Sequence, residues 1–432
     1  SLVSQRRRLP AIQKSAMARR NMNFRSAEGR ACGNVGGLLP FSGLFLHSPR
    51  ALESMISWIH DLGRPGPTAF LALFLFEASA RTLLLAVVPL QALELLGNAQ
   101  DVSLLYFGTS LAGLAASLAI PWLTRKFRRR GVFALGVGAL LAAYGLLASA
   151  TLIGLKIGLW LQIVGTACLE VTLSLYVLDY VRRKELSRFE PQRIFVAAVA
   201  WAAYPALGVV LRTHVAAWAP YAATATIAIL MLLYFRWVRG SDEPPRPLIV
   251  PANPLRYLPR FFAQPRLRLA WTLAMGRAGW WVLFFVYAPI YAVDSGLGEV
   301  AGGAIVSAGG AALFTTLLWG WVARRYGMRR LLAVGYGLSG ALTVTVAFLA
   351  TGGEPVLGAA FLIAAAAAAS MIDGVGNAPF LRAVHPLERA EMTTVFNTFR
   401  HTAQILAPGL FAALLIHFQL PAVFLAGGAI MA

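Results

Sequence analysis

Apolar runs recur from residue 67 to the end of the chain, each close to the roughly 20 residues a helix needs to cross the hydrocarbon of a bilayer. Nothing in lipid satisfies an exposed peptide group, so such runs must be helices that bond their own backbone. The runs lie near Pro67 to Leu96, Val102 to Leu123, Gly131 to Ala150, Leu155 to Val181, Ile194 to Leu211 and Trp218 to Trp237. A polar stretch follows, and a second set runs near Leu269 to Val293, Val300 to Val322, Leu331 to Ala350, Pro355 to Leu381, Met392 to His417 and Leu420 to Ala432. The expected fold is an all-α polytopic membrane protein of twelve transmembrane helices in two pseudo-symmetric six-helix bundles, 67–238 and 268–432, around a central cavity. Residues 239–267, rich in Pro and Arg, are the expected cytoplasmic linker. Only 13% of the 432 residues are charged, about half the share of a soluble domain.

The net charge of +20 suggests nucleic acid until its placement is read. Alternate loops carry Arg125, Lys126, Arg128, Arg129 and Arg130, then Arg182, Arg183, Lys184, Arg188 and Arg193, then seven arginines between 236 and 268. Arg324, Arg325, Arg329, Arg330, Arg382 and Arg389 continue the series, while the opposite side holds Lys156 and Arg212. This asymmetry predicts an inside amino terminus, with a bacterial cytoplasmic membrane as the expected setting. The excess charge then meets anionic lipid headgroups, not nucleic acid.

Residues 1–66 carry ten Lys/Arg against three acids and no apolar run of spanning length. They read as a basic, disordered extension, for which a transit peptide, a regulatory tail or an over-extended reading frame compete. The last, with Met55 as the true start, is favoured because a short amphipathic stretch and a turn lead from there into the first span. The last run, about 13 residues, is short of a full span, and the chain is expected to stop inside helix twelve. Cys32 and Cys168 supply no disulfide framework.

The halves can be laid over one another at an offset near 200. Arg81 meets Arg277, Phe127 meets Tyr326, Glu170 meets Asp373 and Pro205 meets Pro408. The loop after helix eight reads Gly320-Trp-Val-Ala-Arg324-Arg325-Tyr326-Gly327-Met-Arg329-Arg330, and its first-half counterpart, Pro121 to Arg130, keeps the basic residues, Arg125 and Lys126 among them, without the glycines. With these features the chain resembles the major facilitator superfamily of secondary transporters over 67–432. That family's loop signature is Gly, three residues, Asp, Arg, any residue, Gly and basic residues. The departure here is Arg324 in place of the acid, which removes the gating salt bridge the family draws from that position. Tyr204-Pro205-Ala-Leu-Gly208 and Ala407-Pro408-Gly409 are faintly similar to the helix-five signature. They have an equally good reading as bends and close packing, as do Gly302, Gly303, Gly309 and Gly310.

Inside the spans stand Glu77, Arg81, Glu170, Asp179, Arg277, Asp373 and Arg400, each costing about 2.5 to 3.5 kcal/mol at mid-bilayer unless paired or hydrated. Depth along the helices matches Arg81 to Glu170 and Arg277 to Asp373, with Glu77, four residues earlier, a rival partner for Arg81. Asp179 reads as interfacial, and Arg400 has no matching acid. The resemblance implies that helices one, four, seven and ten line the cavity, and these are the helices that carry the four matched charges. Two readings stay open, structural ion pairs or a substrate site. In the second, Arg81 and Arg277 grip an anionic group, as the arginines of helices one and seven do in the related organic-phosphate antiporters. Arg is suited to this because it keeps its charge and presents several donors in a plane. Trp280, Trp281 and Phe284 follow Arg277 at helical spacing and read either as a wall for the body of such a solute or as packing.

A solute that displaces Glu170 or Asp373 from its arginine leaves a carboxylate to take up a proton, which is the expected route to coupling. The rival readings are a proton-driven exporter of hydrophobic or cationic compounds and a non-transporting sensor or scaffold. An enzyme is not expected, since the six histidines are scattered without metal spacing, and no cofactor is expected either. The partner is a small-molecule solute, with protons, and the working unit a monomer.

Overall fold

The computed structural model describes residues 66–127, 129–180, 186–238, 257–385 and 388–432. The chain divides into two units, Ser1–Ser54 and Met55–Ala432, and all described residues belong to the second. The basic extension, Met55, most of the linker and the side chains of Arg125 and Asp179 lie outside the described residues.

Each predicted span is a helix. The first is broken into α1, Pro67–Leu83, and α2, Val87–Leu96, and is followed by α3, Ala99–Lys126, α4, Arg129–Ala148, α5, Leu152–Tyr180, α6, Leu186–His214, and α7, Ala219–Val238. A short α8, Leu258–Ala263, leads into α9, Pro265–Asp294. The eighth span is α10, Glu299–Ala311, a 3-10 turn, and α11, Thr316–Tyr326. Then come α12, Met328–Thr351, α13, Pro355–Val375, α14, Ala378–Ala383, α15, Arg389–Phe396, α16, Thr398–Leu415, and α17, Pro421–Met431. Among the described residues nine helices are long and apolar enough to cross a membrane. The second, eleventh and twelfth expected spans coincide with α3, α16 and the 11-residue α17.

Local chemistry sets the ends. Asn98 caps α3 by accepting from the Asp101 amide at 2.7 Å, which satisfies one of the first-turn donors. Pro stands in the first turn of α1, α8, α9, α13, α14 and α17, where its missing N–H costs nothing. The break between α13 and α14 falls at Gly376, whose φ of +56° and ψ of −130° exclude a side chain.

Within the first half α4 packs on α5 and α1 on α6 and α7; within the second α12 packs on α13 and α17, and α9 on α10 and α16. The halves meet along α6 against α10, α3 against α16 and α2 against α9. Glycines make the first two seams possible. A Cβ on Gly310 would fall on the carbonyl of Trp201, one on Gly303 would come within 3.0 Å of the Val209 side chain, and one on Gly409 would lie 3.0 Å from Phe107. Outward, Ile153, Phe348, Val356 and Leu317 are more than half exposed, the surface a lipid-facing helix presents. Cys168 is a buried free thiol beside Val132.

Gly310→Val is therefore expected to destabilise the fold by about 1 to 3 kcal/mol or more, the range for forcing atoms into a packed contact. Gly138, with open space around its Cα, should accept Ala without loss. Thermal unfolding of the purified proteins, read by intrinsic fluorescence, compares the two.

Candidate functional site

One end of the seam between the halves is closed by polar contacts. Arg212 at the end of α6, its side chain only 9% exposed, forms an ion pair with Glu94 of α2 and reaches Glu299 of α10 at 3.2 Å. Below this clasp the Ser103 and Tyr287 hydroxyls share a hydrogen bond of 2.6 Å, and the Ala206 amide donates to the Ser307 hydroxyl at 2.9 Å. Each joins a first-half helix to a second-half one. At the opposite end Lys126, Arg324, Arg325, Arg329 and Arg330 are exposed.

Between the two ends the intramembrane charges are linked. Glu77 and Arg81, one turn apart on α1, pair at 3.4 Å. Arg81 is 38% exposed, its guanidinium lies 5.6 Å over the Trp201 ring, and its Nε donates no hydrogen bond. Trp201 of α6 meets Phe285 of α9 at 4.7 Å, and Phe285 stacks on Trp281 at 5.0 Å. The Trp281 indole donates to Asp373 at 2.8 Å, and Asp373 pairs with Arg277 at 3.5 Å. Arg277 also donates to Asn377 at 3.3 Å and packs over Phe399. An aromatic bridge thus carries contact from the charge pair of one half to that of the other.

A second pair crosses the halves directly. Arg400 of α16 reaches Glu170 of α5 at 3.3 Å, with side chains 59% and 55% exposed. Glu170 stands ten residues before the end of α5, and Arg400 is the third residue of α16. The pair joins a first-half helix to a second-half one with both side chains more than half exposed.

The expected partnerships are met in part. Arg277 and Asp373 pair as depth predicts, with Arg277 13% exposed and held by three groups. The pairing of Arg81 with Glu170 does not occur: Glu77, fixed one turn away by the helix itself, has Arg81, and Glu170 has Arg400. The three rings of the expected aromatic wall touch one another. Trp280 is buried and donates to Thr343 of α12 at 2.9 Å, and Phe284 is buried where a Cβ on Gly309 would meet its ring. Of the three, Trp281 alone is bonded to the charged cluster. Trp201, Phe285, Asn377 and the Arg212 clasp were not singled out by sequence. Only Trp201 had a signal, standing one turn before Pro205 on the helix opposite Arg81.

In the basic loop, Gly327 adopts φ +98° between α11 and α12, a turn that suits glycine. Gly320 faces the Gly374 carbonyl, with room for a Cβ at 3.4 Å. Arg325 lies over the rings of Trp321 and Tyr326.

Apolar helices of spanning length in two halves, with charged residues inside the spans and a seam closed at one end, define a polytopic helical membrane protein. The family model described as Major Facilitator Superfamily matches residues 69–408, and the chain belongs to that family. It is a multi-pass integral membrane protein and its role is transport. Solved structures agree in fold. A POT family transporter in complex with 5-aminolevulinic acid is 11% identical with a TM-score of 0.67, covering 84% of this chain and 93% of its own. A nucleoside transporter is 11% identical with a TM-score of 0.68, covering 84% and 96%. A bacterial homologue of the iron transporter ferroportin, in an inward-facing state, is 17% identical with a TM-score of 0.58, covering 84% and 97%. A search of curated proteins finds no match.

The two ion pairs should respond differently to mutation. Arg277→Gln leaves Asp373 buried without its cation and is expected to cost about 3 to 5 kcal/mol, partly recovered by adding Asp373→Asn. Arg400→Gln, at an exposed pair, is expected to cost about 1 kcal/mol or less. Unfolding midpoints of the four proteins in detergent test this ordering.

Proposed function

We propose that the protein is a secondary active transporter of a small organic solute with an anionic group, and that Arg81 and Arg400 read that group. The observation that carries this is the exposure of these two cations: the Arg81 side chain is 38% exposed beside Glu77, and that of Arg400 is 59% exposed beside Glu170. Arg277 is engaged by Asp373, Asn377 and Phe399. It serves as the support of the second-half wall, through Asp373 and Trp281, and the role the repeat suggests for it falls to Arg400. A planar, multi-donor cation beside the aromatic bridge of Trp201 and Phe285 suits a solute with an acidic head and a flat or apolar body.

The arginine-rich end faces the cytoplasm under the positive-inside rule, in a bacterial cytoplasmic membrane with the amino terminus inside. The Arg212 clasp then closes the outer side. Alternating access requires the halves to rock about a midplane site, which breaks the reach of Arg212 to Glu299 and brings the basic loops together. Proton coupling follows when the solute draws an arginine from its carboxylate, Glu77 from Arg81 or Glu170 from Arg400, and the carboxylate takes up a proton. The protein works as a monomer, with its basic loops against anionic lipids.

Reconstituted vesicles with an imposed pH gradient test this reading against a panel of organic phosphates, carboxylates and hydrophobic cations. Gradient-driven accumulation of one anion class is expected, reduced at least tenfold in Arg81→Gln and in Arg400→Gln. Movement of cations alone, insensitive to both changes, would instead establish the exporter.

A further inference from the structure

We infer that the transported solute is a zwitterion whose anionic group binds Arg400 and whose ammonium binds Glu170, so that the solute takes the place of an ion pair already joining the two halves. This rests on the reading of the protein as a transporter of a solute with an anionic group and adds the second charge.

The argument is one of charge balance in a closing cavity. Glu170 and Arg400 belong to different halves and meet at 3.3 Å with both side chains more than half exposed. An exposed pair of this kind is worth about 1 kcal/mol or less, so a solute can separate it at little cost. Once the cavity closes and water leaves, an unpaired charge there becomes expensive. A simple anion would satisfy Arg400 and leave Glu170 unpaired unless a proton entered with it. A simple cation would satisfy Glu170 and strand Arg400, which cannot lose its proton. A molecule with both charges pairs both side chains. The loaded cavity and the empty one, in which Glu170 and Arg400 pair with each other, are then equally neutral, and the halves can rock in either state.

The surroundings describe the rest of the solute. Trp201 and Phe285 stand ring to ring at 4.7 Å across the halves, with Arg81 over Trp201. An apolar or ring-bearing body fits against them, and an amino acid with an aromatic side chain has the required parts. Glu170, occupied by the ammonium, is then not the proton carrier, and that role passes to Glu77 or Asp373.

A matched set of probes tests the inference: phenylalanine, 3-phenylpropionate, which lacks the amine, and 2-phenylethylamine, which lacks the carboxylate. Binding to the purified full chain is measured by thermal shift titration and by uptake into vesicles. Phenylalanine is expected to bind at least tenfold more tightly than either fragment. In Glu170→Gln its advantage over 3-phenylpropionate should disappear, and in Arg400→Gln its advantage over 2-phenylethylamine should disappear. The exchanged variant, Glu170→Arg with Arg400→Glu, keeps a pair across the halves and should regain preference for phenylalanine, which a purely structural bridge would not produce. Equal binding of phenylalanine and 3-phenylpropionate, unchanged in Glu170→Gln, would overturn the zwitterion and leave anion transport standing. Binding of 2-phenylethylamine alone would overturn both readings, and binding of none of the three, with an organic anion still accumulated, would overturn the zwitterion alone.

Discussion

A charge inside a bilayer must have a partner or water, and this requirement organises the protein. Arg277 and Asp373 satisfy it by burial in a cluster with Asn377 and Trp281. Glu170 and Arg400 satisfy it by pairing with each other across the halves, both more than half exposed. Arg81 does both in part, pairing with Glu77 on its own helix and lying on the face of Trp201. The same chemical type of contact is thus enclosed in one place and exposed in another. What separates them is how many neighbours each arginine has and how much water reaches it.

The fold was legible because hydropathy acts on whole runs of residues. Every expected span is occupied by helix, and the glycines of helix eight sit where backbone approaches side chain or backbone. Arg277 with Asp373 was legible for a related reason: both belong to one half, where depth along the helix and the internal repeat constrain contact. Glu170 with Arg400 was not, because depth matching pairs positions within each half and says little about what meets across the seam. The Trp280, Trp281 and Phe284 series shows the limit of helical spacing. It places three rings near one side of α9, but α9 is flanked by α10, α12 and α13, and the turn of about 100° between neighbouring residues sends Trp280 to Thr343 and Trp281 to Asp373.

The two ends of the seam are built by different means. At the Arg212 end, ion pairs and hydroxyl hydrogen bonds join helices of the two halves. At the other, the acid that the family signature supplies is replaced by Arg324, which is exposed. Like charges brought together at that end repel, and nothing in the sequence of the loop offsets this within it. The clasped arrangement is the one in which opposite charges meet and like charges stay apart.

The glycine contact between α6 and α10 also sets a mechanical ratio. Gly310, pressed on the Trp201 backbone, lies 11 residues from Glu299 and 16 from Tyr326. At 1.5 Å per residue the arms are about 17 Å and about 24 Å. In a molecule that pivots where the backbones touch, the longer arm sweeps the wider arc for the same rotation. The mouth on the basic side therefore opens further than the mouth on the clasped side.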